Sequence, residues 1–219
     1  SSTLNYAENC LQENNDDDAI IFYNEQKNCR RVSWKELRLN VFKVAYFFKK
    51  QNIKEKDRIA AVLPNIPETV IAFLACAQIG AIWSSCSSDF GPKAIIDRFK
   101  QISPKILIVA DEYYYNNKKI NTLENIDEII NKLNSIIKVI IVNYDHRKRI
   151  TPKVNFLFKN WNDILKDKYK SIDDVFENFE FNLPLYILFS SGTTGPPKCI
   201  VHGAGGSLIQ HKKEHQLHC

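Results

Sequence analysis

Short, continuously apolar runs separated by amphipathic stretches organise this chain. Arg58-Ile59-Ala60-Ala61-Val62-Leu63, Lys105-Ile106-Leu107-Ile108-Val109-Ala110 and Lys138-Val139-Ile140-Ile141-Val142 are apolar at successive positions, not at alternate ones. That pattern predicts strands covered on both faces. Between them the apolar period lengthens to that of a helix. Ser33 with Glu36 forms a capping box ahead of Leu37, Val41, Val44, Ala45 and Phe48, which predicts a helix there. Pro67 suits the first turn of a helix running through Val70, Leu74 and Ala77 and ending near Gly80. Further helices are predicted over Lys93–Ile102 and near Leu123–Leu133, with a strand beginning at Ala81-Ile82-Trp83. Ala19–Tyr23 and Arg31-Val32 read as a hairpin around a polar turn.

Strands alternating with amphipathic helices predict an α/β fold: a doubly wound, mostly parallel sheet with helices on both faces. Residues 1–144 form the first α/β subdomain in this reading. Residues 145–182 form a polar connection with a short helix at Trp161 to Leu165. Residues 183–219 carry a strand, Leu185–Phe189, a loop and a following helix, expected to open a second α/β unit of which the sequence holds only the start.

That last strand empties into Ser190-Ser191-Gly192-Thr193-Thr194-Gly195-Pro196-Pro197-Lys198. Glycines let backbone N–H groups turn toward an anion, hydroxyls add donors, and the lysine brings a full positive charge. The loop therefore predicts a polyphosphate cradle. It is not a Walker loop: Gly192 and Gly195 are too close together, and Lys198 follows Pro197 where that motif has glycine. The two prolines also remove donors and keep a helix from starting at once.

The order of residues in this loop resembles the phosphate-loop signature of the adenylate-forming superfamily, which includes the acyl-CoA synthetases. Flanking segments are similar to the acetoacetate-activating family within it. These segments are Cys199-Ile200-Val201-His202-Gly203-Ala204-Gly205-Gly206-Ser207-Leu208-Ile209-Gln210-His211 with Lys213-Glu214-His215, Leu4-Asn5-Tyr6-Ala7-Glu8-Asn9, Leu63-Pro64-Asn65-Ile66-Pro67-Glu68, and Gly80-Ala81-Ile82-Trp83-Ser84-Ser85-Cys86-Ser87 with Asp89-Phe90-Gly91. The resemblance spans nearly the whole chain and weakens from about Asn116 to Asn182.

The resemblance implies an AMP-forming acid–thiol ligase. Acetoacetate and Mg·ATP would give an acyl-adenylate and pyrophosphate, and the thiol of CoA would then displace AMP. Ser190, Ser191, Gly192, Thr193, Thr194, Gly195 and Lys198 would bind the ATP phosphates. Ser88, Asp89, Arg98 and Lys118 are the implied CoA contacts. The family's Mg2+ ligand, acyl pocket and adenylation lysine all lie beyond this loop, so no catalytic or metal residue is assigned here. The chain is expected to be an inactive portion of a longer enzyme, consistent with its lack of methionine and its end within a predicted helix.

Composition changes this picture little. The formal net charge of +5 comes from 30 basic and 25 acidic residues spread along 219 positions. It suits anionic small molecules and gives no case for nucleic acid. The six cysteines form no C-x-x-C pair, and no apolar span reaches membrane length, so a reduced, cytosolic protein is expected. Three other readings stay open: a synthetase for another acid such as acetate or propionate, a non-catalytic nucleotide-binding module, and a zinc hydrolase. The last rests on His211-Lys212-Lys213-Glu214-His215, which matches H-x-x-E-H. Cys86 has no histidine nearby in sequence and is not expected to be a nucleophile.

Overall fold

Capping and turn chemistry place most elements where the apolar pattern predicts them. The computed structural model describes residues 2–145, 157–167, 175–190 and 195–218. In chain order the elements are β1 (Thr3–Leu4), α1 (Tyr6–Cys10), β2 (Asp18–Tyr23), β3 (Cys29–Ser33), α2 (Trp34–Lys50), β4 (Arg58–Val62), α3 (Pro67–Gln78), β5 (Ile82–Cys86) and α4 (Pro92–Ile102). They continue with β6 (Ile106–Ala110), β7 (Glu112–Tyr115), β8 (Lys118–Asn121), α5 (Ile126–Lys132), β9 (Lys138–Val142), β10 (Phe158–Asn160) and α6 (Trp161–Lys166). The last are β11 (Phe179–Glu180), β12 (Pro184–Ser190), β13 (Lys198–Gly203) and α7 (Ala204–Leu217). Ser33 caps α2 as its sequence predicts, its hydroxyl accepting from the Glu36 N–H at 3.2 Å. Gly80 closes the α3 region with φ +68°, a conformation that glycine adopts without strain.

A seven-stranded sheet runs β10-β9-β6-β4-β5-β12-β13, parallel throughout except for the antiparallel β12–β13 pair at one edge. Alternate residues of the central strands enter two separate cores. Ile59, Ala61, Ile106, Ile108 and Ile140 pack with α2, α3 and α6 on one face. Ala60, Val62, Leu107, Val109 and Ile141 pack with α4 and α5 on the other. This is the doubly wound arrangement the apolar runs predict, because a strand with no polar face must be covered twice.

Three features depart from the sequence reading. The polar connection supplies β10, which pairs parallel to β9, ahead of the expected short helix. The tyrosine-rich stretch after Asp111 is a hairpin, β7–β8, turned by Asn116 and Asn117 at φ 50° and 58°. Asn tolerates that left-handed conformation better than most residues. Finally, the phosphate loop leads into β13 before α7 begins. β12 pairs parallel to β5 and β13 pairs with β12, so both extend the sheet of the preceding residues. Ile200-Val201 favours a strand once the two prolines have blocked a helix.

Candidate functional site

β12 runs parallel to β5, so its last residue leads the loop out on the side where β4, β5 and β6 also end. Ser190 closes β12 and sits directly opposite Lys198, the first residue of β13. The two therefore form the stem of a hairpin whose tip is the glycine- and hydroxyl-rich segment. Gly195 has φ +108° and open space around it, a backbone state that would strain any other residue. Lys198 is exposed and makes no ion pair among the described residues. Ser191, Gly192, Thr193 and Thr194 lie outside the described residues. The stem thus carries a cation and a permissive backbone, which fit a polyphosphate.

A second feature lies at the carboxyl ends of β4 and β6, the adjacent strands whose connections leave in opposite directions. Sheets of this type bind ligands at that kind of switch point. A cavity of about 170 Å³ opens there, floored by Val62 and Val109 and walled by Ser88, Asp89, Tyr113 and Asn121. The Ser88 hydroxyl is buried without a hydrogen-bond partner among the described residues, so it offers an unused donor and acceptor at the cavity wall. Burial, followed by the neighbouring Asp89, pushes the Tyr113 phenol above its usual range, so this hydroxyl keeps its proton.

The β7–β8 hairpin separates two lysines that look equivalent in sequence. Tyr113 stands opposite Ile120, and both line the cavity. Lys118 lies two residues from Ile120 along β8, on the same face and nearer the hairpin tip. It makes no ion pair among the described residues. Lys119 faces the other way and pairs with the buried carboxylate of Glu112. Asp111 is also structural: its carboxylate accepts from Asn143 Nδ2 and the Tyr144 N–H, each at 2.8 Å, tying β6 to the end of β9. Arg98 lies against Phe90, which lines the cavity. Its guanidinium donates to the Ala94 carbonyl at 2.8 Å and lies 4.6 Å from the centre of the Phe90 ring. The structure therefore places Ser88 and Asp89 in the cavity wall, Lys118 two residues along β8 from the lining residue Ile120, and Arg98 against the lining residue Phe90. Tyr113 was missed by sequence reasoning, because only the hairpin register shows which tyrosine faces inward.

Other motifs resolve into structural roles. His211 Nδ1 is hydrogen-bonded to the Tyr6 hydroxyl at 2.7 Å, joining α7 to α1. Burial raises the Tyr6 phenol far above its ordinary range, so Tyr6 keeps its proton. Among the described residues no group of three or more His, Cys, Asp or Glu could hold a metal ion, and no helix is long and apolar enough to cross a membrane.

Burial raises the Cys86 thiol to about 12, with Arg98 offsetting part of the effect, and burial alone raises Cys76 well above its ordinary range. Both thiols stay protonated at neutral pH, and only the thiolate is nucleophilic. Exposed Cys29 should react first with a thiol reagent at pH 8, while Cys76 and Cys86 react only on unfolding. Labelling of Cys86 in the folded protein at the rate of Cys29 would contradict this.

Known proteins agree with this architecture over almost its full length. The model of the AMP-binding enzyme family matches residues 7–216. An acetoacetyl-coenzyme A synthetase of Rhizobium meliloti (strain 1021) is 45% identical over 217 residues, covering 99% of this chain and 33% of that protein. An acetoacetyl-CoA synthetase of Xenopus tropicalis is 41% identical over 229 residues, again covering 99% of this chain and 33% of its own length. The solved structure of an acetoacetyl-CoA synthetase from Streptomyces lividans superimposes with a TM-score of 0.90 at 34% identity, covering 99% of this chain and 33% of that one. This chain thus spans about a third of the length of these relatives. Its sheet order and a family match across residues 7–216 make one conclusion plain: the chain belongs to the AMP-binding enzyme family.

Proposed function

We propose that this chain provides the pyrophosphate-side half of an ATP-dependent acid–thiol ligase that converts acetoacetate to acetoacetyl-CoA. The observation that carries the reading is the hairpin stem, where Ser190 and exposed Lys198 close a loop of glycines and hydroxyls. Attack of a carboxylate on the α-phosphate expels pyrophosphate, so the chemistry needs charge neutralisation on the leaving group and no protein nucleophile. Lys198 supplies the cation. Oriented N–H groups and hydroxyls of Ser190, Ser191, Thr193 and Thr194 supply donors, and Gly192 and Gly195 let the backbone wrap the phosphates. Mg2+ bound with ATP would neutralise further phosphate charge, with its protein ligand outside the residues assigned here. The assignment of the acid follows the relatives, each an acetoacetyl-CoA synthetase. The five described cysteines are free, which supports a reducing, cytosolic setting.

In this reading CoA approaches the cavity between Ser88, Asp89 and the β7–β8 hairpin. Lys118 meets its phosphates, the unpartnered Ser88 hydroxyl takes a polar group, and Asp89 accepts from a hydroxyl or amide donor. Arg98 contributes only by turning from its present contacts. Lys118→Ala in the full-length protein should raise KM for CoA about three- to tenfold, the worth of one exposed charged contact. ATP–pyrophosphate exchange, which precedes CoA binding, should be unchanged. An unaltered KM for CoA would remove Lys118 from the site.

A further inference from the structure

We infer that Gln101 is a positioning residue for the phosphate loop, holding the Pro197 backbone and the Cys199 side chain, on either side of Lys198, from the last turn of α4. The inference rests on the reading of Lys198 as a ligand of the ATP phosphates. Gln101 Nε2 donates to the Pro197 carbonyl at 3.0 Å, and its Oε1 accepts from Cys199 Sγ at 3.4 Å. One amide therefore brackets Lys198, touching the residue before it and the residue after it. Gln101 Nε2 also donates to the Asp97 carbonyl, one turn back in α4, at 2.8 Å, which restrains its side chain before it reaches the hairpin.

The arrangement has a physical use. Pro197 cannot donate a backbone hydrogen bond, and Lys198 and Cys199 lie on the exposed edge strand of the sheet. Gln101 thus ties the stem to α4 in addition to its pairing with β12. Adjacent strand residues point to opposite faces. A contact that seats Cys199 toward α4 therefore turns Lys198 the other way and fixes the direction in which its ammonium reaches. Ile102, the next residue, is buried in the core beneath α4, so the helix end that carries Gln101 is itself rigid. Holding a charged group in place before substrate arrives lowers the ordering cost of binding.

Gln101→Glu and Gln101→Ala test the inference in the full-length protein. Glutamate keeps an acceptor for the Cys199 thiol but loses the donor to the Pro197 carbonyl, and alanine loses both. Each variant should raise KM for ATP in pyrophosphate exchange about three- to tenfold, the worth of one or two exposed hydrogen bonds. KM for the acid and for CoA should stay within twofold, and the melting temperature should be close to that of the parent. A lowered melting temperature with unchanged KM for ATP would show a merely structural contact and overturn the inference. Lys198→Ala is measured beside them. If it raises KM for ATP and neither Gln101 variant does, the positioning role fails while the phosphate reading stands. If Lys198→Ala has no effect on ATP, the phosphate reading fails and the inference falls with it.

Discussion

Lys198→Ala in the full-length protein should lower ATP–pyrophosphate exchange about ten- to a hundredfold. Removing one group that stabilises developing charge at a transferring centre costs roughly a hundred- to a thousandfold in favourable buried cases. Lys198 is exposed in this structure and stands beside a loop with several other donors, which places its expected effect below that range. The loss should appear in the half-reaction that forms the adenylate, because the charge that Lys198 meets develops on pyrophosphate. Transfer from a preformed acyl-adenylate to CoA should be nearly untouched. The side chain projects from the first residue of an edge strand and is not part of either core, so the folded state should keep its stability. Exchange at the parent rate would remove the lysine from the phosphate site.

Trp161→Ala should have the largest effect on stability, about 3–5 kcal/mol in denaturant unfolding of this chain. Trp161 opens α6 and is only 1% exposed, packed with Ile164 against the face that carries α2 and α3. Its loss would leave a cavity where α6 seals β9 and β10. A domain has only about 5–15 kcal/mol of total stability, so this one change should bring the chain near its folding limit. Trp161→Phe should cost less than about half as much. The indole Nε1–H is buried without a partner among the described residues, so phenylalanine gives up ring volume but no hydrogen bond there. Equal costs for the two variants would show that the N–H does contribute, and a cost under about 1 kcal/mol for Trp161→Ala would contradict the packing.

The fold was readable where residues act through their own neighbours. Runs such as Ile106–Ala110 have no polar face, so they imply burial on both sides before any partner is known. Ser33 and Pro67 mark helix starts by satisfying, or not needing, the first backbone donors. The composition of the loop after β12 was readable for the same reason, since its glycines, hydroxyls and lysine stand in contiguous residues. What the pattern missed depends on pairing across the chain. β10 is only three residues long and has no sequence signal apart from the strand it joins. The β7–β8 hairpin hides behind a turn of two asparagines, where a glycine would have announced it. β13 is a strand through its pairing with β12.

The sequence by itself determined an α/β architecture and the glycine- and hydroxyl-rich composition of the loop after β12, because periodicity, capping and loop composition are local properties of the chain. Only the tertiary structure decided which groups share a site. Lys118 and Lys119 are neighbours with the same chemistry, yet the pleat of β8 puts Lys118 on the face of the cavity-lining Ile120 and Lys119 on the face that meets Glu112. Arg98 meets the Phe90 ring and the Ala94 carbonyl, contacts that its sequence position does not announce. Gln101, silent in sequence, meets Pro197 and Cys199 across more than ninety residues of chain. Such contacts depend on strand order and register, which arise only when distant segments bury their apolar faces together.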